Sequence, residues 1–223
     1  MNDYKIFVII PFCSSFIVYW SLAFLFYVMD KNFAKYRIDE NINWSLYKKT
    51  VYYVLYLQFC YSLPVLYLLI PIWKWRNITI LFNQIIILDI FKFFLNCLLG
   101  ETIFYYLHYL SHFLFYSKIH KVHHEWTNTC AVAAAYAHPL EYLLISLPSF
   151  LLPPIITGSN WIISNIWFLL ATIMVIIEHS GYKYIKCSEF HWKHHKYFNI
   201  NYGKKTLIDI IIWLFKKIKK YII

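Results

Sequence analysis

His108-Tyr-Leu-Ser-His112, His120-Lys-Val-His123-His124 and His191-Trp-Lys-His194-His195 are three short clusters set in otherwise apolar sequence. Residues i, i+3 and i+4 project from one face of a helix, so each cluster offers two or three imidazoles to one point in space. All ten histidines of the 223-residue chain lie between His108 and His195. The clusters and the isolated His179 together supply nine rings, more than a single ion can use. A lone histidine in such a chain is read as an interfacial residue satisfied by a backbone carbonyl, but that reading does not account for the whole set. Metal-buffering sequences take the form of tandem low-complexity tracts, and these clusters do not.

The solvent around them is set by composition. Apolar residues make up 61% of the chain, aromatic residues 22% and charged residues only 14%, which is too hydrophobic for an ordinary soluble domain of this length. No charge falls between Ile6 and Met29 or between Val51 and Trp73, and each run exceeds the roughly 20 apolar residues that cross a bilayer. The first run is also longer than the apolar core of a cleaved signal peptide, so an uncleaved anchor is expected. A third span is expected from about Ile78, interrupted by Asp89 and Lys92, which stand three apart and can pair with each other. Tyr142 to Ile177 is uncharged and longer than one span, with Pro148, Pro153, Pro154 and Gly158 near its first half. It reads either as a broken re-entrant pair or as a half-helix followed by a span from about Trp161.

The fold class is therefore all-α, a multi-pass integral membrane protein. Transmembrane segments occupy residues 1–100, and a histidine-bearing region at 101–223 holds a further segment or hairpin at 142–177, the whole forming one integrated domain. Five cysteines (Cys13, Cys60, Cys97, Cys130, Cys187) without CxxC spacing exclude a disulfide framework and zinc-finger chemistry. The net charge is +10, and Lys193, Lys196, Lys204, Lys205, Lys216, Lys217, Lys219 and Lys220 crowd the carboxy-terminal end. The positive-inside rule makes that end cytosolic. These lysines alternate with apolar runs, which fits anionic lipid headgroups or an acidic redox partner better than nucleic acid. Lys31, Lys35, Arg37, Lys48 and Lys49 would lie in a cytosolic first loop and Lys74 and Arg76 in a lumenal turn, with the alternative of an amino-terminal hairpin and a third segment in the interface. In either arrangement the histidines emerge on one side. Asn43-Trp-Ser45 and Asn77-Ile-Thr79 are glycosylation sequons, on opposite faces in the first arrangement.

Neutral imidazole suits iron, zinc and copper, whereas calcium and magnesium prefer oxygen ligands, and structural zinc needs only four ligands. Nine rings therefore imply two ions in one cavity, each holding about four imidazoles with a position open. A histidine-rich diiron centre fits, reducing O2 and oxidising an unactivated C–H bond. Glu101 and Glu141 are candidates to accept a ligand's second ring N–H, which fixes its tautomer; for Glu125 and Glu178 an exposed interfacial carboxylate is an equal alternative.

This spacing, HxxxH, HxxHH and HxxHH, accompanied by His138-Pro139-Leu-Glu141, His179-Ser-Gly-Tyr182 and Asn201-Tyr-Gly203, resembles the fatty acid hydroxylase/sterol desaturase superfamily of membrane diiron oxygenases from about Glu101 to Asp209. Ile119 to Glu125, Ala135 to Glu141 and His179 to Tyr182 look most like C-4 methylsterol monooxygenases, while His194-His195 to Asn201-Tyr-Gly203 is more like sterol C-5 desaturases. The resemblance implies metal ligation by His108, His112, His120, His123, His124, His179, His191, His194 and His195, with His138 beside the ligands. It also implies two Fe ions, O2, and electrons from NAD(P)H delivered by a separate carrier such as cytochrome b5 and its reductase, acting on a sterol or fatty acyl lipid at the cytosolic face of the endoplasmic reticulum. C-4 methyl hydroxylation is the best single reading, and C-5 desaturation or fatty acid hydroxylation the alternative. Departures from the family pattern are Glu101 in place of Asp, Tyr109 in place of the Arg that commonly follows the first histidine, a short His179–His191 interval, and no glycine after Asp209. Tyr109 and the short interval are the features that favour a non-catalytic membrane homologue.

Overall fold

The computed structural model describes residues 3–78, 87–200 and 202. Six long helices stand among them. Helices α1 (Lys5–Asn32), α2 (Trp44–Trp75), α4 (Pro139–Thr157) and α5 (Trp161–Glu178) are each long and apolar enough to cross a membrane. The other two are α3 (Ile87–Leu114), which carries the first histidine pair, and α6 (Lys186–Tyr197), which carries the last cluster. Only an isolated bridge between Arg37 and Tyr182 has strand-like pairing among the described residues.

Helix ends follow local chemistry. The side chain of Asn43 accepts from the Leu46 N–H at 3.0 Å to start α2, and Asn160 accepts from the Ile163 N–H at 2.9 Å to start α5. Between α4 and α5 the chain reverses at Gly158, whose φ of +61° is the left-handed conformation that ends helices. Residues 142–177 thus lie in two full helices joined at Gly158, the hairpin among the expected arrangements rather than the re-entrant pair or the half-helix and span. The prolines do not break α4, because the carbonyl deprived of its partner by Pro154 is that of Phe150, and the Trp167 indole donates to it at 2.8 Å.

The third apolar segment lies partly outside the described residues. Residues 79–86 lie outside the described part, and α3 is not among the helices apolar enough to span by composition. Its Lys92 donates to the Gly158 carbonyl at 2.8 Å, and Arg76 donates from Nε to Ile155 O at 3.0 Å and from Nη2 to Ile156 O at 3.2 Å. Both cations therefore sit where α4 leaves unpaired carbonyls and the negative end of its dipole.

Two apolar clusters hold the bundle together. One, with Trp73, Leu151 and Trp167, lies at the end where Lys92 and Arg76 cap α4. The other, with Tyr19, Phe26, Val54, Trp126 and Ile176, lies at the opposite end, beneath the histidines. Helix α3 can lie close to the hairpin because Gly100 has no side chain: a Cβ there would stand 2.4 Å from the Trp167 ring and 3.3 Å from Ser149 O. Gly100→Ala should therefore destabilise the protein by about 1–3 kcal/mol, as overpacking does, measured by thermal unfolding in detergent. Trp167→Phe, which removes the clashing ring atoms, should make the added methyl less costly than it is alone.

Candidate metal centre

The nine histidines arrive from four places, three helices and one tight turn. His108 and His112 stand one turn apart near the end of α3, His120, His123 and His124 lie on a 3-10 turn (His120–Glu125), His179 follows directly on α5, and His191, His194 and His195 share a face of α6. Their donor atoms converge in two groups, each within 4.8 Å: His108, His112, His120, His124 and His194 in one, and His123, His179, His191 and His195 in the other. All nine histidines named from the sequence are thus brought together, divided five and four.

Within the groups it is Nε2 that faces Nε2, at 2.9 Å for His112–His120, 3.0 Å for His120–His124, 3.1 Å for His108–His120 and for His112–His194, 3.0 Å for His179–His191 and 3.1 Å for His191–His195. For four of the rings the opposite nitrogen fixes which atom faces the group. Nδ1 of His108 meets Tyr202 O at 2.7 Å, that of His123 meets Tyr136 O at 2.8 Å, that of His179 meets Val175 O at 2.8 Å and that of His194 meets Ile200 O at 2.7 Å. A carbonyl only accepts, so the proton resides on Nδ1 and Nε2 presents a bare lone pair. His123 and His179 consequently point two lone pairs at each other across 3.4 Å. Only a cation turns that repulsion into attraction, and neutral imidazole is the donor that iron, zinc or copper takes.

Burial enforces neutrality. It pushes His120 down to about 3 and holds His123, His124, His191, His194 and His195 below the ordinary imidazole range, with like-charged neighbours adding to the effect. Rings that resist protonation are available to a metal at neutral pH.

Glu141 accepts from His120 Nδ1 at 2.7 Å and is itself buried, a carboxylate that orients a ligand ring. Glu101 lies on α3 seven residues before His108, half-buried and outside both donor groups. His138 is also outside them, and its Nδ1 accepts from the Leu140 N–H at 3.2 Å, capping α4. Glu125 binds Lys49 at 3.2 Å and the Tyr136 hydroxyl at 2.7 Å, while Glu178 is buried beside His179.

The setting of His179 depends on a residue that charge counting assigns to an exposed loop. Arg37 is fully buried. It pairs with Asp30 at 2.6 Å, donates to Ser180 O at 2.8 Å and to Asp39 O at 3.2 Å, and reaches Thr129 O. Tyr182 adds its hydroxyl to Asp30 at 3.1 Å. Gly181 has a φ of +77°, and a Cβ there would lie 2.5 Å from Arg37 Nη2 and 2.8 Å from Thr129 O. The end of α1, the 129 segment and the turn after α5 are thereby tied together directly behind the second donor group. The tail bearing Lys204, Lys205, Lys216, Lys217, Lys219 and Lys220, and with it Gly203 and Asp209, lies outside the described residues.

An apolar cavity of about 140 Å³ opens among α1, α2, α4 and α5. Its wall includes Ala135, Tyr142 and Val175. These adjoin the Tyr136 carbonyl on His123, the Glu141 carboxylate on His120 and the carbonyl on His179. The cavity thus ends against residues that hold the ligand rings.

Comparison with known proteins shows which family the chain resembles. The chain is 34% identical over 224 residues to fatty acid hydroxylase domain-containing protein 2 of Homo sapiens, covering 91% of this chain and 66% of that protein. It is 31% identical to a fatty acid hydroxylase of Mycosarcoma maydis, covering 84% and 51% respectively. Against methylsterol monooxygenase 1-1 of Arabidopsis thaliana it is 42% identical, but over only 82 residues, 37% of this chain and 25% of that one. The chain thus spans about two thirds of the length of the first of these relatives. No solved structure matches it. The family model for fatty acid hydroxylase matches residues 93–213, from within α3 past the last histidine, and the chain belongs to the fatty acid hydroxylase family.

Proposed function

We propose that this protein is an O2-dependent oxidase that hydroxylates a membrane lipid at a pair of iron ions. The observation that carries the reading is the division of nine imidazoles into two adjoining groups at one end of an apolar bundle. His108, His112, His120, His124 and His194 would hold one ion, and His123, His179, His191 and His195 the other. The chemistry such ions would supply when bound is reduction of O2, one oxygen atom entering a C–H bond and the other leaving as water, with two electrons and two protons from outside. The protein's share is to keep the rings neutral and aimed, through the carbonyls of Tyr136, Val175, Ile200 and Tyr202 and the carboxylate of Glu141, and to keep water from the apolar approach.

Sterol C-4 oxidation is the finer reading. It is supported by the stretches Ile119–Glu125 and Ala135–Glu141 and by the short match to a methylsterol monooxygenase, while a fatty acyl substrate is supported by the longer matches to proteins named as fatty acid hydroxylases. We place the site at the cytosolic boundary of the endoplasmic reticulum, served by cytochrome b5 or a similar carrier. The charge pattern favours that orientation: Lys31, Lys35, Arg37, Lys48, Lys49, Lys118 and Lys121 accompany the histidine end, against Lys5, Lys74, Arg76 and Lys92 at the other.

Purified protein should carry about two irons per chain, and His123→Ala should lose at least one of them; full metal content in that variant, measured by elemental analysis, overturns the ligand assignment. Glu141→Leu leaves His120 without its acceptor and should weaken metal binding by about 10–100-fold, whereas Glu141→Gln, which keeps an acceptor oxygen, should lose much less; chelator competition reads the difference. Expression in a yeast strain blocked in C-4 demethylation, followed by mass spectrometry of its lipids, tests the reaction itself. Loss of 4,4-dimethyl sterols with the wild type but not with His123→Ala establishes the sterol reading, and a new hydroxylated fatty acyl product replaces it. An iron-loaded chain that alters no lipid counts against oxidation of either class.

A further inference from the structure

The cavity between the spanning helices is lined mainly by apolar side chains, and its wall contains no Lys, Arg, Asp, Glu or His. Its polar groups come chiefly from two places. Gln58 and Ser62 belong to a π-helical turn in α2 (Gln58–Ser62), and Tyr142 and Ser146 belong to a second one in α4 (Tyr142–Ser146). The two turns face each other, joined by a 2.7 Å hydrogen bond between the Ser62 and Tyr142 hydroxyls. Turns of this kind interrupt the regular helix and are frequent at functional sites.

Gln58 is the informative member. It is 8% exposed, and its Oε1 accepts from the Trp20 indole N–H at 2.9 Å. An indole nitrogen can only donate, so the amide orientation is fixed and its NH2 group is the part left over. No acceptor among the described residues takes that NH2. Two of the other polar groups on the wall are engaged by the protein: the Tyr19 hydroxyl donates to Val132 O at 2.9 Å and accepts from the Ala135 N–H at 3.3 Å, and Thr172 donates to Phe168 O at 2.8 Å. Gln58 lines the cavity, and an amide donor left over there is one that a ligand oxygen can meet.

We infer that this cavity binds a neutral lipid carrying an oxygen acceptor, a hydroxyl or an uncharged carbonyl, and that Gln58 reads that oxygen while the apolar wall takes the hydrocarbon. A free carboxylate is excluded, because no cation on the wall compensates its desolvation. The inference names the substrate class for the reaction proposed above, so it rests on that reading, but binding can be measured without turnover.

The test is equilibrium binding to the full chain in detergent, with and without iron, using three probes of equal chain length: a fatty alcohol, the corresponding alkane and the free fatty acid. The wild type should prefer the alcohol to both of the others. Gln58→Leu should lower affinity for the alcohol about fivefold, the equivalent of one hydrogen bond, and leave the alkane unchanged. Trp20→Phe, which releases the amide orientation, should reduce the same preference without adding bulk. Leu151→Trp, which fills the cavity, should abolish binding of all three. Equal affinity of the wild type for alcohol and alkane, tightest binding of the acid, or an alcohol preference that survives both Gln58→Leu and Trp20→Phe overturns the assignment, as does undiminished binding to Leu151→Trp. An intact preference in a chain that oxidises no lipid would instead leave the cavity standing and count against the proposed reaction.

Discussion

The structure turns on the placement of acceptors behind imidazole rings. A neutral histidine is ambiguous until an acceptor fixes which nitrogen carries its one N–H, and here backbone carbonyls settle the ambiguity for His108, His123, His179 and His194. Once Nδ1 carries the proton, the Nε2 lone pairs must face inward, and packing several of them into a space of under 5 Å is unfavourable without a cation. The same burial that makes the rings poor bases makes them good ligands. A metal bound there therefore also acts as a structural tie, joining α3, the 3-10 turn, the end of α5 and α6.

That arrangement needs a rigid frame, and the frame comes from an unusual source for a membrane bundle. Arg37 and Asp30 form a buried ion pair between two groups with almost no exposure. Such a pair gains little net stability over apolar packing, but removing one partner leaves an uncompensated buried charge. Its use is positional: guanidinium donors spread in a fixed fork reach Ser180 and Thr129 at once and hold the backbone on either side of Gly181. A glycine is required there both for its backbone conformation and because the arginine occupies the space a side chain would need. His179 is thus aimed by residues from α1 and the loop after it, far away in sequence.

How much of this can be read from the chain depends on whether side chains or backbone carry the information. The three histidine clusters are legible because i, i+3 and i+4 spacing on any helix or tight turn gives one face, and the apolar spans are legible because their length alone answers the bilayer's demand. The all-helical membrane architecture and the family follow from those two signals. The partners of Nδ1 are mostly carbonyls, which every residue has, so no side-chain pattern marks Tyr136, Val175 or Ile200; the Asn201-Tyr-Gly203 motif is the one hint, since Tyr202 lends its carbonyl to His108. Arg37 reads as one more loop cation until the fold buries it, and the prolines of α4 read as breaks until Trp167 is found satisfying Phe150. In each case tertiary contact overrides what the local sequence predicts.

The distribution of charge ties membrane residence to ligand choice. Lys92 and Arg76 cap α4 at one end of the bundle, and the lysines of the first loop gather at the other, near the histidines. The interior between them is left with hydroxyls, one amide and hydrocarbon around the cavity. A bilayer-embedded wall built this way cannot desolvate a carboxylate or phosphate without a large penalty, so a charged headgroup is kept out of it. Discrimination among neutral lipids then falls to the few polar atoms that remain inside. The amide of Gln58, fixed by a donor that cannot reverse its role, is one with hydrogen-bonding capacity to spare and a fixed direction in which to use it.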